Sequence, residues 1–189
     1  MFSLQIDENL SLELPEPHHA EAVNKLVHEN LSRLQRWMPW AVDDYSLQHA
    51  TEWIQRTTDA LAKDGSFNAL ILLDGEIIGT IGYHDLDTAN KHAAIGYWID
   101  QCHEGKGVIT RSTRALIEYL FSEIGLNRIQ INCNVENRRS RAVPERLGFT
   151  LEGISREVEF LNGSFRDWAI YSLLRSEWKS PDAMQFGVW

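Results

Sequence analysis

Residues 103–110 read His-Glu-Gly-Lys-Gly-Val-Ile-Thr, two glycines around a lysine where a run of helical spacing begins. Such a turn points backbone N–H groups inward, and the helix behind it adds partial positive charge. The chemistry it suggests is anion binding, above all of phosphate. Counting excludes two common phosphate loops. A P-loop needs a glycine five positions before its Gly-Lys pair and Ser or Thr after it, but those positions hold Asp100 and Gly107. A dinucleotide fingerprint needs a third glycine at position 110, which is Thr110. A purely structural strand-to-helix turn is the alternative that spacing leaves open.

Other residues carry chemistry of their own. Asn137 and Ser140 open a short helical stretch, as N-caps or as functional groups. Pro144 has no N–H to give the Ser140 carbonyl four residues earlier, so this helix is expected to be locally open. If Asn162-Gly163 is a two-residue hairpin turn, Glu159 faces Arg166. On pairing alone that glutamate is one half of a surface ion pair. His84, His92 and His103 are candidates for proton handling by residue type but have no partners visible in the sequence. Trp37-Met38-Pro39-Trp40 forms an aromatic loop, whereas Trp53 and Trp168 are expected to pack in the core. Cys102 and Cys133 have no metal-ligand spacing, so no metal is expected, and no nucleophile triad is recognisable.

The elements that must position these residues follow from pattern. Strands are expected at 9–14, 67–73, 76–83, 92–100 and 127–135, with Asp74-Gly75 as a hairpin turn. Helices are expected over 18–35, from the N-cap Ser46 to about 63, from the glycine loop to about 124 and over 138–147. Ile109, Leu116, Leu120 and Ile124 form the apolar stripe of the third. A last hairpin spans 149–174. The order predicts one domain of mixed α/β class, with helices flanking a central sheet, over 1–178. Residues 179–189 form a tail whose Phe186 and Trp189 could dock on a neighbour or on the domain itself.

The 189 residues are long enough for a real core, and 43% hydrophobic with 24% charged is the balance of a soluble protein. A net charge of −9 argues against a nucleic-acid surface and tolerates a cationic partner. The N-terminal MFSLQIDENL lacks the basic and apolar regions of a leader, and no apolar run reaches membrane length, so a cytoplasmic location is expected. Two unpaired cysteines agree with a reducing compartment.

IGYWIDQCHEGKGVIT at 95–110, followed by NRRSRAVPERLGF at 137–149, resembles the GCN5-related N-acetyltransferase (GNAT) superfamily. NKHAAIGYWID at 90–100 and LEGISREVEFLNG at 151–163 resemble its ribosomal-protein-serine/alanine acetyltransferase (RimL/RimJ-like) branch. The resemblance implies the acyl-CoA N-acyltransferase fold, with a mostly antiparallel sheet. It implies acetyl-CoA as co-substrate, bound by Tyr97, Trp98, Ile99, His103, Glu104, Gly105, Lys106, Gly107, Val108, Ile109, Asn137 and Ser140. It makes Glu159 the general base, Ser140 the proton donor near sulfur, and Trp37, Met38 and Trp40 the acceptor side.

Three departures stand out. Cys102 replaces the frequent Gln or Arg before the loop, so anion binding would rest on backbone amides helped by Lys106. Pro144 stands where many members carry a tyrosine acid, and Ala94 where the branch carries glutamate. The function implied is direct acetyl transfer to a primary amine, foremost the N-terminal amine of a ribosomal protein. A small amine such as a polyamine, aminoglycoside or peptide antibiotic is the alternative, and a non-catalytic CoA sensor is the alternative of another class. The family also implies a homodimer.

Overall fold

Turn chemistry and alternation build the sheet. The computed structural model describes residues 3–63 and 66–179. Its strands are β1 (Ser3–Gln5), β2 (Leu10–Glu13), β3 (Phe67–Leu73), β4 (Glu76–Asp87), β5 (His92–Ile99), β6 (Arg128–Asn134), β7 (Thr150–Leu161) and β8 (Ser164–Leu174). Its helices are α1 (Ala20–Leu34), α2 (Leu47–Lys63), α3 (Val108–Ser122) and α4 (Arg138–Arg146). Asp74-Gly75 (φ 52° and 80°) and Asn162-Gly163 (φ 52° and 76°) adopt the positive φ of a two-residue hairpin turn. They fix the pairs Leu73↔Glu76 and Leu161↔Ser164.

The strands form one sheet in the order β1-β2-β3-β4-β5-β6-β8-β7. Every neighbouring pair is antiparallel except β5 and β6. That parallel pairing is short, His92–Ala94 against Arg128–Gln130. Beyond it, β5 keeps only β4 and β6 keeps only β8, so a wedge opens in the middle of the sheet.

Both faces of the sheet are covered, which explains the continuous apolar run of β3. Phe67, Ala69 and Ile71 join Leu116, Ile117 and Leu120 of α3 in one core. Leu70 and Leu72 point the other way, onto Val23, Val27 and Leu34 of α1 and Ala50 of α2. Two glycines of β4 allow close backbone approach: a Cβ on Gly79 would lie 2.3 Å from the Trp98 carbonyl oxygen, and one on Gly82 2.1 Å from that of Phe67.

Several expectations need correction. β1 was not foreseen, because three residues carry no pattern. β4 runs on to Asp87, and α3 stops at Ser122, which leaves Ile124 exposed beyond the helix rather than on its stripe. The tail with Phe186 and Trp189 lies outside the described residues. Among those described, no helix is long and apolar enough to cross a membrane.

Candidate active site

The wedge between β5 and β6 underlies two cavities that meet. The larger, about 1190 Å³, is lined by Tyr97, Trp98, Ile99, His103, Glu104, Gly105, Lys106, Gly107, Val108, Ile109, Asn137 and Ser140, all of which the sequence had marked. The smaller, about 630 Å³, holds Trp37, Met38, Trp40 and Glu159. Trp37, Met38, Tyr97, Trp98, Asn137 and Ser140 line both, so the two spaces join at the end of the wedge.

The glycine loop is shaped to receive an anion. Gly105 and Gly107 both adopt φ 75°, and a Cβ at either would meet nothing within 4 Å. They serve the turn, and open space lies above them. Gly107 is the N-cap of α3, no side chain caps it, and the first turn holds no acid. Its orphan N–H groups therefore remain available. Gly96 behaves similarly, because the nearest atom to an added Cβ is His84 Nε2 at 3.7 Å. It is not a packing glycine; the space beside it belongs to the smaller cavity.

A hydrogen-bonded network ties this loop to α1. Buried Asn30 donates to Asp100 Oδ1 (2.9 Å) and accepts from the Gln101 N–H (2.9 Å). Asp100 Oδ2 meets His103 Nδ1 at 2.8 Å, a partner for His103 that sequence could not reveal. Burial pushes the Asp100 carboxyl up, but the hydrogen bonds from Asn30 and His103 outweigh it and the net shift is down. Arg33 donates to Glu104 Oε1 (2.8 Å), to Asn30 Oδ1 (3.2 Å) and to the Ile99 carbonyl, while Arg139 pairs with Glu104 Oε2.

α4 is continuous through Pro144, so the expected opening does not occur. The Ser140 carbonyl, deprived of its helical donor, accepts instead from the Tyr97 hydroxyl at 3.0 Å. Asn137 Oδ1 caps the helix by accepting the Ser140 N–H (3.2 Å). Ser140 Oγ lies 3.2 Å from Cys133 Sγ. Burial raises the pKa of both Tyr97 and Cys133, Tyr97 well above the ordinary phenol value, so both are neutral donors at physiological pH.

Glu159 stands opposite Arg166 as the turn predicted. Arg166 nevertheless reaches to Glu136 (3.0 Å), and Glu159 Oε2 accepts from Trp168 Nε1 at 3.3 Å. Between Ser155↔Trp168 and Glu159↔Arg166 the strand β7 carries extra residues. There Glu157 adopts φ 53°, and its N–H donates to Asp167 Oδ1 (2.8 Å). This bulge re-aims the strand toward the cavity. Trp168 and Trp53, expected in the core, line that cavity instead, and Trp53 also packs against the second core.

The sequence profile of the acetyltransferase (GNAT) domain matches residues 9–150. The chain belongs to the GNAT family. YdaF of Bacillus subtilis (strain 168), provisionally named a ribosomal N-acetyltransferase, is 40% identical over 95% of this chain and 98% of its own. A structure of RimL, the ribosomal L7/L12 α-N-protein acetyltransferase, superposes with a TM-score of 0.88 at 28% identity. It covers 92% of this chain and 98% of its own, and holds coenzyme A in a disulfide with one of its cysteines. The microcin C7 self-immunity acetyltransferase MccE, bound to acetyl-CoA and AMP, has a TM-score of 0.85 at 29% identity, over 89% and 94%.

This GNAT chain is an N-acetyltransferase that uses acetyl-CoA, which removes the non-catalytic reading. Its larger cavity fits a polyanion for a reason the sequence hid. Arg33, Arg36, Lys106, Arg111, Arg114, Arg138, Arg139 and Arg146 line it against only Glu104 and Glu136. Arginines from α1, α3 and α4 thus add positive charge to this wall beside the loop amides and Lys106, on which the sequence alone had rested anion binding. Asn134 was also missed. It is buried, and its Nδ2 has no hydrogen-bond partner among the described residues, although it lines the smaller cavity. Only the parting of β5 and β6 reveals these residues, and no local pattern encodes it.

Proposed function

We propose that the enzyme acetylates the N-terminal α-amino group of a ribosomal protein with a small first residue, by direct attack in a ternary complex. The observation that carries this reading is the junction of a cationic cavity and an aromatic, glutamate-bearing cavity at Tyr97, Trp98, Asn137 and Ser140. The names of the similar proteins support the acceptor class. Acetyl-CoA supplies an activated acyl group, and transfer forms a C–N bond as the C–S bond breaks. An α-amine of pKa about 8 needs only modest help to be neutral. Glu159, held by Trp168, takes the proton that the amine loses, through water. Ser140 gives a proton to the departing sulfur and recovers it from solvent. Backbone groups of β5 past Ala94, which no strand pairs on the β6 side, are free to donate to the acyl oxygen.

The cysteine geometry supports this placement of sulfur. Of the two cysteines, Cys133 lines the cavity and touches Ser140, and the RimL structure joins coenzyme A to a cysteine by a disulfide. In this reading residues 1–178 act as one domain, the protein works in the cytoplasm, and it forms a homodimer. Exposed Leu151, Ile154, Val158, Phe160 and Phe165 on the edge hairpin support the dimer.

A second reading follows from the tryptophans. Trp37, Trp40, Trp53, Trp98 and Trp168 surround the smaller cavity, which suits a small acceptor carrying a flat ring, and MccE binds AMP. Incubation with acetyl-CoA and ribosomal proteins, read by intact mass, tests the first reading, and thiol release on a panel of small amines tests the second. Glu159→Gln should lower kcat about 100-fold or more with little change in the KM for acetyl-CoA. Full activity in that variant across the pH range would remove the general-base role.

A further inference from the structure

Glu104 is a carboxylate inside a loop built for an anion. It directly precedes Gly105, and its side chain is only 17% exposed. Left alone it would repel a phosphate from the amides at the start of α3. Two guanidinium groups neutralise it, one on each carboxylate oxygen, and they differ in kind.

Arg33 is fixed. Its side chain is 21% exposed and also donates to the Ile99 carbonyl and to Asn30. Burial, and less strongly the nearby positive charge of Arg139, push its pKa down against the opposing charge of Asp100. Arg139 is loose. Its side chain is 77% exposed, and Glu104 is its only hydrogen-bonding or ion-pair contact among the described residues. It also occupies the second position of α4, directly after Arg138, and the first turn holds no acid. The helix dipole disfavours cations there. Two arginines at the positive end of a helix, facing a cavity lined by six further cations against two carboxylates, form a surface of excess positive charge.

We infer that Glu104 is an internal counter-ion, and that Arg139 leaves it for a phosphate of coenzyme A when the cofactor enters. This rests on the acetyl-CoA reading above and deepens it by naming the side chain that exchanges partners. Arg33 stays on Glu104, so the carboxylate keeps one positive neighbour and the loop keeps its tie to α1. Arg139 moves from one charge-assisted pair to another. The pair thus holds the exposed guanidinium against the cavity wall before the ligand arrives. The phosphate that takes it is either the diphosphate or the ribose 3′-phosphate, which share this chemistry.

The test is calorimetric titration of coenzyme A and of dephospho-coenzyme A into the wild type, Arg139→Ala and Glu104→Gln. Thermal unfolding of each ligand-free protein accompanies it, and exposed Arg139 is a site where truncation leaves the fold intact. Arg139→Ala should weaken coenzyme A about tenfold and flatten the salt dependence of binding. If the loss vanishes with dephospho-coenzyme A, the partner is the 3′-phosphate; if it persists, the partner is the diphosphate. Glu104→Gln should lower the melting temperature of the free protein yet bind coenzyme A as tightly as the wild type or tighter. Unchanged affinity in Arg139→Ala overturns the inference, as does weaker binding in Glu104→Gln, which would make Glu104 a mere scaffold for the loop. Failure of the wild type to bind coenzyme A at all is a different outcome, and it overturns the acetyl-CoA reading together with this one.

Discussion

Tyr97→Phe tests whether a phenol stands in for the N–H that Pro144 lacks. In an unbroken helix the Ser140 carbonyl would accept from residue 144. Here residue 144 is proline, α4 continues regardless, and the Tyr97 hydroxyl donates at 3.0 Å. Deleting that hydroxyl leaves a half-buried carbonyl unpaired at a cost of about 1–2 kcal/mol. In a chain of this size that lowers Tm by roughly 2–8 °C. Burial holds the phenol pKa well above its ordinary value, so the neutral donor persists through the neutral range and the loss should not vary with pH there. Pro144→Ala restores an N–H at the right place, so Tyr97→Phe should cost much less in that background. A coupling of about 1 kcal/mol is expected from urea unfolding of the four proteins. Equal costs in both backgrounds would refute the substitution of one donor for the other.

Three further outcomes follow. Gly96→Ala should leave unfolding unchanged, since a Cβ there has room, while weakening ligand binding about tenfold by filling the cavity; Gly82→Ala, whose Cβ would meet the Phe67 carbonyl oxygen at 2.1 Å, should destabilise by about 1–3 kcal/mol or more. Glu152 is held at a pKa of about 2, first by the Arg128 hydrogen bonds, below an unfolded value near 4.5. The stability it contributes is full above the unfolded value and is lost as pH falls toward 2, so urea midpoints of Glu152→Gln and wild type should converge on acidification, and parallel curves would count against the pair. Coenzyme A disulfide should exchange with Cys133, forming the mixed disulfide and releasing coenzyme A thiol, faster as pH rises because burial raises the Cys133 pKa; peptide mapping that finds the adduct on Cys102 instead would move the sulfur site.

What the sequence disclosed and what it hid divide by range. Asp74-Gly75 and Asn162-Gly163 state their turns outright, because positive φ at two successive positions admits few residue pairs, and the register that puts Glu159 opposite Arg166 follows. The glycine loop is equally local, and every residue assigned to it lines the larger cavity. What failed was partnership. Glu159 and Arg166 face one another but bond elsewhere, to Trp168 and Glu136, and strand pairing alone does not name those partners. Trp168 looked like core because aromatic residues usually are, and only the parting of β5 from β6 gives it a cavity to line. Arg33 and Glu104 lie 71 positions apart, and no spacing rule links such a pair.

The distribution of charge bears on how two unlike reactants meet. The chain carries a net −9, which should repel a polyanionic cofactor at long range and attract a cationic acceptor. Yet eight of its eighteen Lys and Arg residues line the larger cavity, while the smaller has Glu159 on its wall and Arg56 as its cation. Cofactor affinity in the proposed reading therefore arises at short range, where fixed guanidinium groups and helix-end amides face the phosphates, and the acceptor gains from the general field. Salt should then act on the two reactants differently. It should weaken cofactor binding through the loss of close ionic contacts, and slow capture of a basic acceptor through screening of the surrounding field. Substituting Arg139 should reduce the first dependence and leave the second unchanged, because that residue lines the larger cavity alone.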